Sequence, residues 1–365
     1  MAALGSANPI YSKYINNFAG ELFRVGGQRT PFTAAVGGMS GGGKVLQSTF
    51  WQFQTADTAS ITSAPTVGTE GGQPTEYLGR DRVSYTAVTQ IFQKGVKMSY
   101  TAMAATNHQN VFDVSANAFN FSDGNAGNTA GDKLALFGGS PITDEFAEQM
   151  ELALDKVAKE VEWFAINGTY NDGTAADFAG TDDRQMRGLL AHCALTGGNT
   201  YYNDTNGDGT GTDQVLHWDT IAGALKTLYD AKAAMKQPVL LINPAQLLSL
   251  NKELINPTVS GVITPAILPR DRNVGGVDID TVITPFGNIG LMVLDPDILP
   301  DNKAFIVDLA FVSPVFTNIP GKGTVFVRDI DQDDYARVAK AVYMEMGFDF
   351  GPPQNHCLIS DITPA

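Results

Sequence analysis

Apolar residues recur with two different periods along this chain, and each change of period marks a predicted element. Tyr11, Tyr14, Ile15, Phe18, Leu22 and Phe23 fall at helical spacing before Gly26-Gly27. A stretch this short has little core of its own and needs another surface to lie on. Gly37-Gly38-Met39-Ser40-Gly41-Gly42-Gly43 follows as a flexible joint. Residues 1–45 are therefore predicted to form an arm.

From residue 46 to 105 the period shortens. Thr49-Phe50-Trp51-Gln52-Phe53 alternates as a strand does, and Val83 to Phe92 repeats the pattern. Between them lies a turn-rich tip, Thr58 to Gly72, with Pro65, Gly68, Gly71 and Gly72. Two strands around a long tip predict an extended hairpin. Little in it can bury a face within one chain, and such a projection is marginal in water without a partner.

The helical period returns at Pro141 to Ile166. Ser140 is placed as N-cap, Pro141 occupies the first helical position, and Asp144 and Glu145 suit the positive end of the macrodipole. Phe146, Met150, Leu154, Val157, Val161 and Phe164 form one stripe; Glu148, Glu151, Asp155, Lys159 and Glu162 form the opposite, polar face. Asn167-Gly168 ends a spine of about 40 Å.

Tyr170 to Asp213, rich in Gly, Asn, Asp and Thr, is predicted to be mostly loop. His217 to Lys236 is a helix on the spacing of Trp218, Ile221, Leu225, Leu228 and Tyr229. Pro238 to Ile242 is continuously apolar, as a strand buried on both faces is. Asn243 caps a further helix through Leu254. Val277 to Ile283, Ile289 to Leu294 and Ala304 to Val307 are strands, and Val325 to Val327 with Tyr335 to Met344 close the sheet. The fold class is α+β, with no internal repeat.

Composition narrows the function. At 43% apolar the 365-residue chain is globular, yet only 17% is charged, below the ~25% usual for soluble domains. Low charge suits a subunit whose faces are covered by neighbours. The net charge of −15 leaves no basic stripe to neutralise phosphates, so any nucleic acid near the protein is held off or enclosed, not gripped. Cys193 and Cys357 are too few for a disulfide framework and fit assembly in a reducing cytoplasm. Met1-Ala2-Ala3-Leu4 does not open a signal peptide, and no apolar run approaches the ~18 residues of a membrane span.

Several fragments suggest chemistry, and each lacks a part. Gly38 to Lys44 nearly spells a phosphate-binding loop, but Val45 stands where Ser or Thr must hold magnesium, in a stretch that reads as extended. Asp204, Asn206 and Asp208 match the first half of a calcium loop, with Asp213 as a further oxygen donor. Val215 replaces the bidentate glutamate, and a solvated turn is the favoured reading. His192-Cys193 and His356-Cys357 invite zinc, but adjacent residues rarely point at one metal. No G-x-S-x-G or H-E-x-x-H is present, and Asp182-Asp183 and Asp333-Asp334 lie in loop-like sequence without an apolar pocket. No catalytic residue, cofactor or confident metal site is predicted.

Certain stretches, in order, carry a resemblance. They are Thr30-Pro31-Phe32, Thr49-Phe50-Trp51-Gln52, Thr89 to Lys94, the acidic spine with Glu160 and Trp163, Arg184 to Leu189, Asn243-Pro244-Ala245-Gln246, and Phe286 to Ile289 through Ile306-Val307-Asp308. The order resembles the Hong Kong 97-type major capsid proteins of tailed phages. It is especially similar to a family of about this length described as uncharacterised phage capsid proteins.

The resemblance implies architecture, not catalysis. Residues 1–45 would be the N-terminal arm, and 46–105 the extended loop lying over a neighbouring subunit and the start of the peripheral domain. Residues 106–214 would be the peripheral domain with spine helix 141–166, 215–320 the axial domain, and 321–365 the returning strands. The insert at 197–213 has no place on the pattern. The resemblance further implies homo-pentamers and hexamers, a virion shell around double-stranded DNA bound without sequence specificity, portal and scaffolding partners, room for a decoration protein, and no membrane. Alternatives are a host-encoded, encapsulin-like nanocompartment shell of the same fold and a glycan- or metal-binding enzyme domain in the Gly/Asn-rich loops.

Overall fold

A computed structural model describes residues 29–39, 43–56, 67, 70, 82–101, 145–173, 183–255, 267–274, 277–330 and 336–363. The proposed amphipathic stretch at 11–23 and most of the hairpin tip lie outside them, as do 141–144 and Asp333-Asp334. The chain divides into a larger unit (28–93, 157–326 and 343–365) and a smaller one (1–27, 94–156 and 327–342).

The first elements are helix α1 (Pro31–Val36) and strands β1 (Lys44–Leu46), β2 (Phe50–Ala56), β3 (Arg82–Val88) and β4 (Gln90–Ser99). Helices α2 (Glu145–Asn167) and α3 (Leu189–Cys193) follow, then β5 (Asn199–Tyr202), β6 (Gln214–Val215), α4 (Trp218–Asp230), β7 (Pro238–Ile242) and α5 (Pro244–Ile255). The strands that follow are β8 (Ile267–Val274), β9 (Val277–Thr284), β10 (Gly287–Val293), β11 (Ala304–Asp308), β12 (Ser313–Thr317), β13 (Val325–Asp329), β14 (Arg337–Asp349), β15 (Cys357–Ser360) and β16 (Ile362–Thr363), with a 3-10 turn at Pro353–Asn355 before β15.

In the larger unit a seven-stranded sheet runs β5-β15-β11-β7-β10-β9-β8. Central β7 pairs antiparallel with β11 and parallel with β10. Successive strand side chains point to opposite faces. Val239 and Leu241 accordingly enter one apolar core with Phe305, Val307 and Met292, whereas Leu240 and Ile242 enter another with Ile221, Leu225, Ile289 and Ile306. All five β7 residues are buried, which is why the segment is apolar without alternation. Each fully buried aliphatic side chain contributes roughly 1.5–3 kcal/mol.

The first core also holds Val157, Val161, Ala165 and Ile166 of α2, so the helix's second half packs as a spine. Two predicted faces need correcting. Leu154 is 40% exposed, whereas Glu162, placed on the polar face, is 0% exposed. The burial stripe rotates to 157/161/165, and a carboxylate enters it because it has partners there. Gly168 follows the helix for a reason other than a left-handed turn. A side chain on it would meet the carbonyls of Met186 and Phe164 at 2.6 Å, where Gly188 N–H donates to Gly168 O at 2.8 Å.

The predicted strand 83–92 is broken at Thr89. Before it β3 pairs with β2; after it β4 pairs with β14 in the five-stranded sheet that also contains β1, β12 and β13. Tyr170 to Asp213, read as loop, includes α3 and β5; β5 pairs parallel with β15 from Asn199 to Tyr202. The helix read to Lys236 stops at Asp230, with left-handed Lys232 and Met235 beyond it. In α5 the sequence reading holds in detail. Asn243 Oδ1 accepts from Gln246 N–H at 2.9 Å and Gln246 Oε1 accepts from Asn243 N–H at 3.1 Å, a reciprocal capping box.

In the smaller unit the far ends of β4 and β14 carry Tyr100 N–H to Ala336 O (3.4 Å), and Ile330 N–H donates to Ala339 O (3.0 Å). No helix among the described residues is long and apolar enough to cross a membrane.

Candidate functional site at the root of the hairpin

Among the described residues strands β2 and β3 pair only with each other, in antiparallel register from Phe50↔Val88 at the root to Ala56↔Arg82 toward the tip. Their burial divides the hairpin. Tyr85, Ala87 and Val88 are buried; Arg82, Val83 and Ser84 are exposed, and no residue of β2 is fully buried. Phe50 and Val83 are 44% and 47% exposed. Both strands belong to the larger unit, and β3 is buried at its root end and exposed from Ser84 to Arg82.

Aromatic packing holds the root. Phe53 stacks on Tyr85 with centroids 5.1 Å apart and lies 5.9 Å from the His192 ring. Tyr85 OH donates to Thr196 O at 2.7 Å, and Tyr170 OH to Thr86 Oγ1 at 3.2 Å. The Trp51 ring covers Gly347, where any side chain would meet the ring at 2.8 Å. The tryptophan can approach the β14 backbone only because that residue is glycine.

A buried polar network fixes the pivot between β3 and β4. Thr89 N–H donates to Thr49 O at 2.9 Å, and its hydroxyl donates to Glu345 Oε1 at 2.9 Å. Thr317 Oγ1 donates to Thr89 Oγ1 at 3.1 Å. Arg184 Nη2 meets the same Glu345 oxygen at 2.9 Å, and Gln90 Oε1 accepts from Met186 N–H at 3.2 Å. Glu345 is nearly fully buried, where an ion pair with added hydrogen bonds fixes geometry more than it adds stability. Thr89, Gln90 and Arg184 lie in stretches singled out by resemblance, but their sequence revealed no role. Glu345 had a signal: one acid inside the apolar run Val342-Tyr343-Met344-Glu345-Met346.

The remaining candidates fall elsewhere. Asp204 accepts from Gly207, Gly209 (2.9 Å) and Gly211 (2.8 Å) N–H, and Asp208 Oδ1 accepts from Thr210 N–H and Oγ1. Desolvation pushes the Asp204 carboxyl up, but the amides of Gly211, Gly207, Gly209 and Asp208 outweigh it and hold it below its ordinary value. Asp213 faces Asp204 across an isolated bridge, Asn206 lies in the exposed turn, and amides close this loop around Asp204. Among the described residues no three His, Cys, Asp or Glu side chains converge as metal ligands. Lys44, of the phosphate-loop fragment, is in β1 and pairs with Asp349 at 2.5 Å. The structure does bring His192 and His356 together, with ring centroids 5.7 Å apart and both rings buried.

A rooted projection, a spine helix and two cores on one sheet define a shell subunit, and solved structures share this fold. The capsid asymmetric unit of cyanophage A-1(L) aligns at a TM-score of 0.59 with 11% identity, covering 95% of this chain and 97% of that one. The capsid of the native GTA particle gives 0.53 with 12% identity over 99% and 100%. The SrpI encapsulin of Synechococcus elongatus PCC 7942 gives 0.51 with 11% identity over 88% and 86%. No curated protein matches the chain. The family model of the SU10 major capsid protein matches residues 5–363, and the chain belongs to that family. It is a phage major capsid protein of the Hong Kong 97-type α+β fold, a structural protein of the virion capsid that associates with itself into icosahedral shells.

Proposed function

We propose that the β2–β3 hairpin is the arm by which each subunit holds its neighbour in pentamers and hexamers around the double-stranded DNA genome, and that the protein catalyses no reaction. One observation carries this. The root is locked by Tyr85, Thr89 and Glu345, while Arg82, Val83 and Ser84, toward the tip, are exposed. A two-stranded ribbon is marginal alone, so a locked root with an exposed shaft serves contact with another molecule. On this reading 1–45 is the arm, 46–105 the extended loop and start of the peripheral domain, 106–214 the peripheral domain, 215–320 the axial domain and 321–365 the return strands of the peripheral domain. Portal, scaffolding and decoration proteins are the further partners.

The test replaces the exposed shaft residue Val83 with Asp. Soluble subunits with unchanged melting and few closed particles by electron microscopy are expected. Wild-type particle yield and diameter would refute the reading. The nanocompartment alternative is separated by cargo: purified particles from infected cells should contain DNA, whereas enclosed enzyme without DNA would favour that alternative.

A further inference from the structure

The hairpin's aromatic root rests on a histidine with an unsatisfied atom. His192, in α3, is 1% exposed, and its ring lies 5.2 Å from Phe350, 5.7 Å from His356 and 5.9 Å from Phe53. Its Nε2 is buried with no hydrogen-bond partner. Its neighbour differs: His356 Nδ1 accepts from Asp308 N–H at 3.3 Å, and its Nε2 lies 2.6 Å from Phe350 O. The neutral His356 ring is satisfied at both nitrogens. His192 Nε2 has no such partner, and the hairpin's ring against this imidazole is Phe53.

We propose that His192 is an acid-sensitive latch for the hairpin: its neutral ring seats Phe53, and protonation of that ring releases the β2–β3 root from the body of the subunit. A proton on Nε2 would place a donor and a charge where no acceptor waits. The surroundings disfavour the cation. Arg187 is a neighbouring positive charge, His356 is a second ring that disfavours charge beside it, and Phe53, Phe350 and Tyr85 carry none. Cys193 and Cys357 are buried thiols whose ionisation is pushed far up, the latter to about 12, so they supply no counter-charge. Asp308, whose N–H bonds His356, accepts the amides of Lys236, Gln237 and Ala310, and Asp349, next to Phe350, pairs with Lys44 and accepts the Gly351 N–H. Burial first, then His356 and Arg187, depress His192 to about 3, against a backbone bond to Gly351 that acts the other way.

The sign follows from linkage. Undocking lifts only the part of the burial that the hairpin supplies, and His356 and Arg187 stay in place. The undocked ring therefore titrates above the docked one, which lies near 3, and below its ordinary 6.5. Docking is complete at neutral pH and weakens as pH falls through the undocked value toward 3. A single proton weakens it by up to tenfold per pH unit in that window.

The experiment is hydrogen exchange by mass spectrometry on the full-length protein at pH 7, 6, 5 and 4. Rates are corrected for intrinsic pH dependence, and the same oligomeric state is verified at each pH. Peptides covering 50–56 and 82–88 should lose protection as pH falls from 7 to 4, by at most about tenfold per unit, while 238–242 in β7 stays unchanged. In His192→Gln the acid dependence should vanish. His192→Phe, which keeps the ring volume, is the second variant should glutamine prevent folding. An equal acid response in either variant, no response in the wild type, or an equal loss of protection in β7 would overturn the proposal.

Discussion

The Glu162 carboxylate accepts the backbone N–H of Thr33 at 2.7 Å, and the Thr33 hydroxyl donates to the same oxygen across 129 residues of chain. Its other oxygen accepts from Phe32 N–H at 2.9 Å. The first turn of a helix has amides without intrahelical partners, normally capped by a local side chain. Thr30, at the N-cap of α1, makes no such bond. The spine supplies the cap instead, ties the segment after the arm to the core, and explains why a carboxylate lies among valines.

Removing that cap should be costly. Glu162→Ala leaves two buried amides without acceptors and opens a cavity, for an expected loss of about 3–5 kcal/mol in unfolding free energy. Denaturant unfolding of the isolated subunit measures it, and Thr33→Val should cost about 1 kcal/mol for its single lost bond.

The same carboxylate should leave a pH signature. Desolvation raises the Glu162 pKa above 4.5, with the bonds from Thr33 and Phe32 working in the opposite direction. A raised folded pKa means that the neutral form's contribution is complete below 4.5 and is lost as pH rises through the folded value. The wild-type melting temperature minus that of Glu162→Gln should therefore fall with rising pH. A difference that rises instead would show the carboxylate to be stabilised as the anion.

At the hairpin root, Glu345→Ala removes the acceptor shared by Thr89 and Arg184 and leaves a part-buried guanidinium unpaired. A loss of about 3 kcal/mol is expected from breaking one side of a buried pair. The substitution should also reduce assembly beyond its stability cost, because Thr89 is the pivot between β3 and β4. Particle yield compared with a core variant of equal stability, such as Leu241→Ala, separates the two effects.

Asp204 is expected to act as a loop closer. Asp204→Ala should expose residues 205–212 to proteolysis while leaving the melting of the seven-stranded sheet unchanged. Added calcium should not restore protease resistance in this variant; restoration would point to an ion held by Asn206, Asp208 and Asp213.

Capping is local enough to read from sequence. Asn243→Ala should cost roughly 1 kcal/mol through the lost bond to Gln246 N–H, and more if Asp301, which accepts from Asn243 Nδ2, is left without its donor. Chemical denaturation measures this difference.

What the sequence by itself determined was whatever depends on neighbours along the chain. Pro238 to Ile242 reads as a doubly buried strand because every position is apolar, and Asn243-Pro244-Ala245-Gln246 carries its capping box within four residues. The alternation in β2 and β3 was legible, as was the absence of complete catalytic motifs, and the order of segments carried the family resemblance. Only the tertiary structure decided the rest. Thr89 ends a strand that its side chain would continue, where Glu345, itself held by Arg184, and Thr317 reach it from distant segments. Glu162 reads as solvent-facing by helical period, yet it is buried because its partners, Phe32 and Thr33, lie 130 and 129 residues away. His192 and Cys193 gave no sign that Phe53 would rest beside them. Periodicity reports which face of an element is apolar; which polar group can be buried depends on what meets it there, and long-range contact alone supplies that.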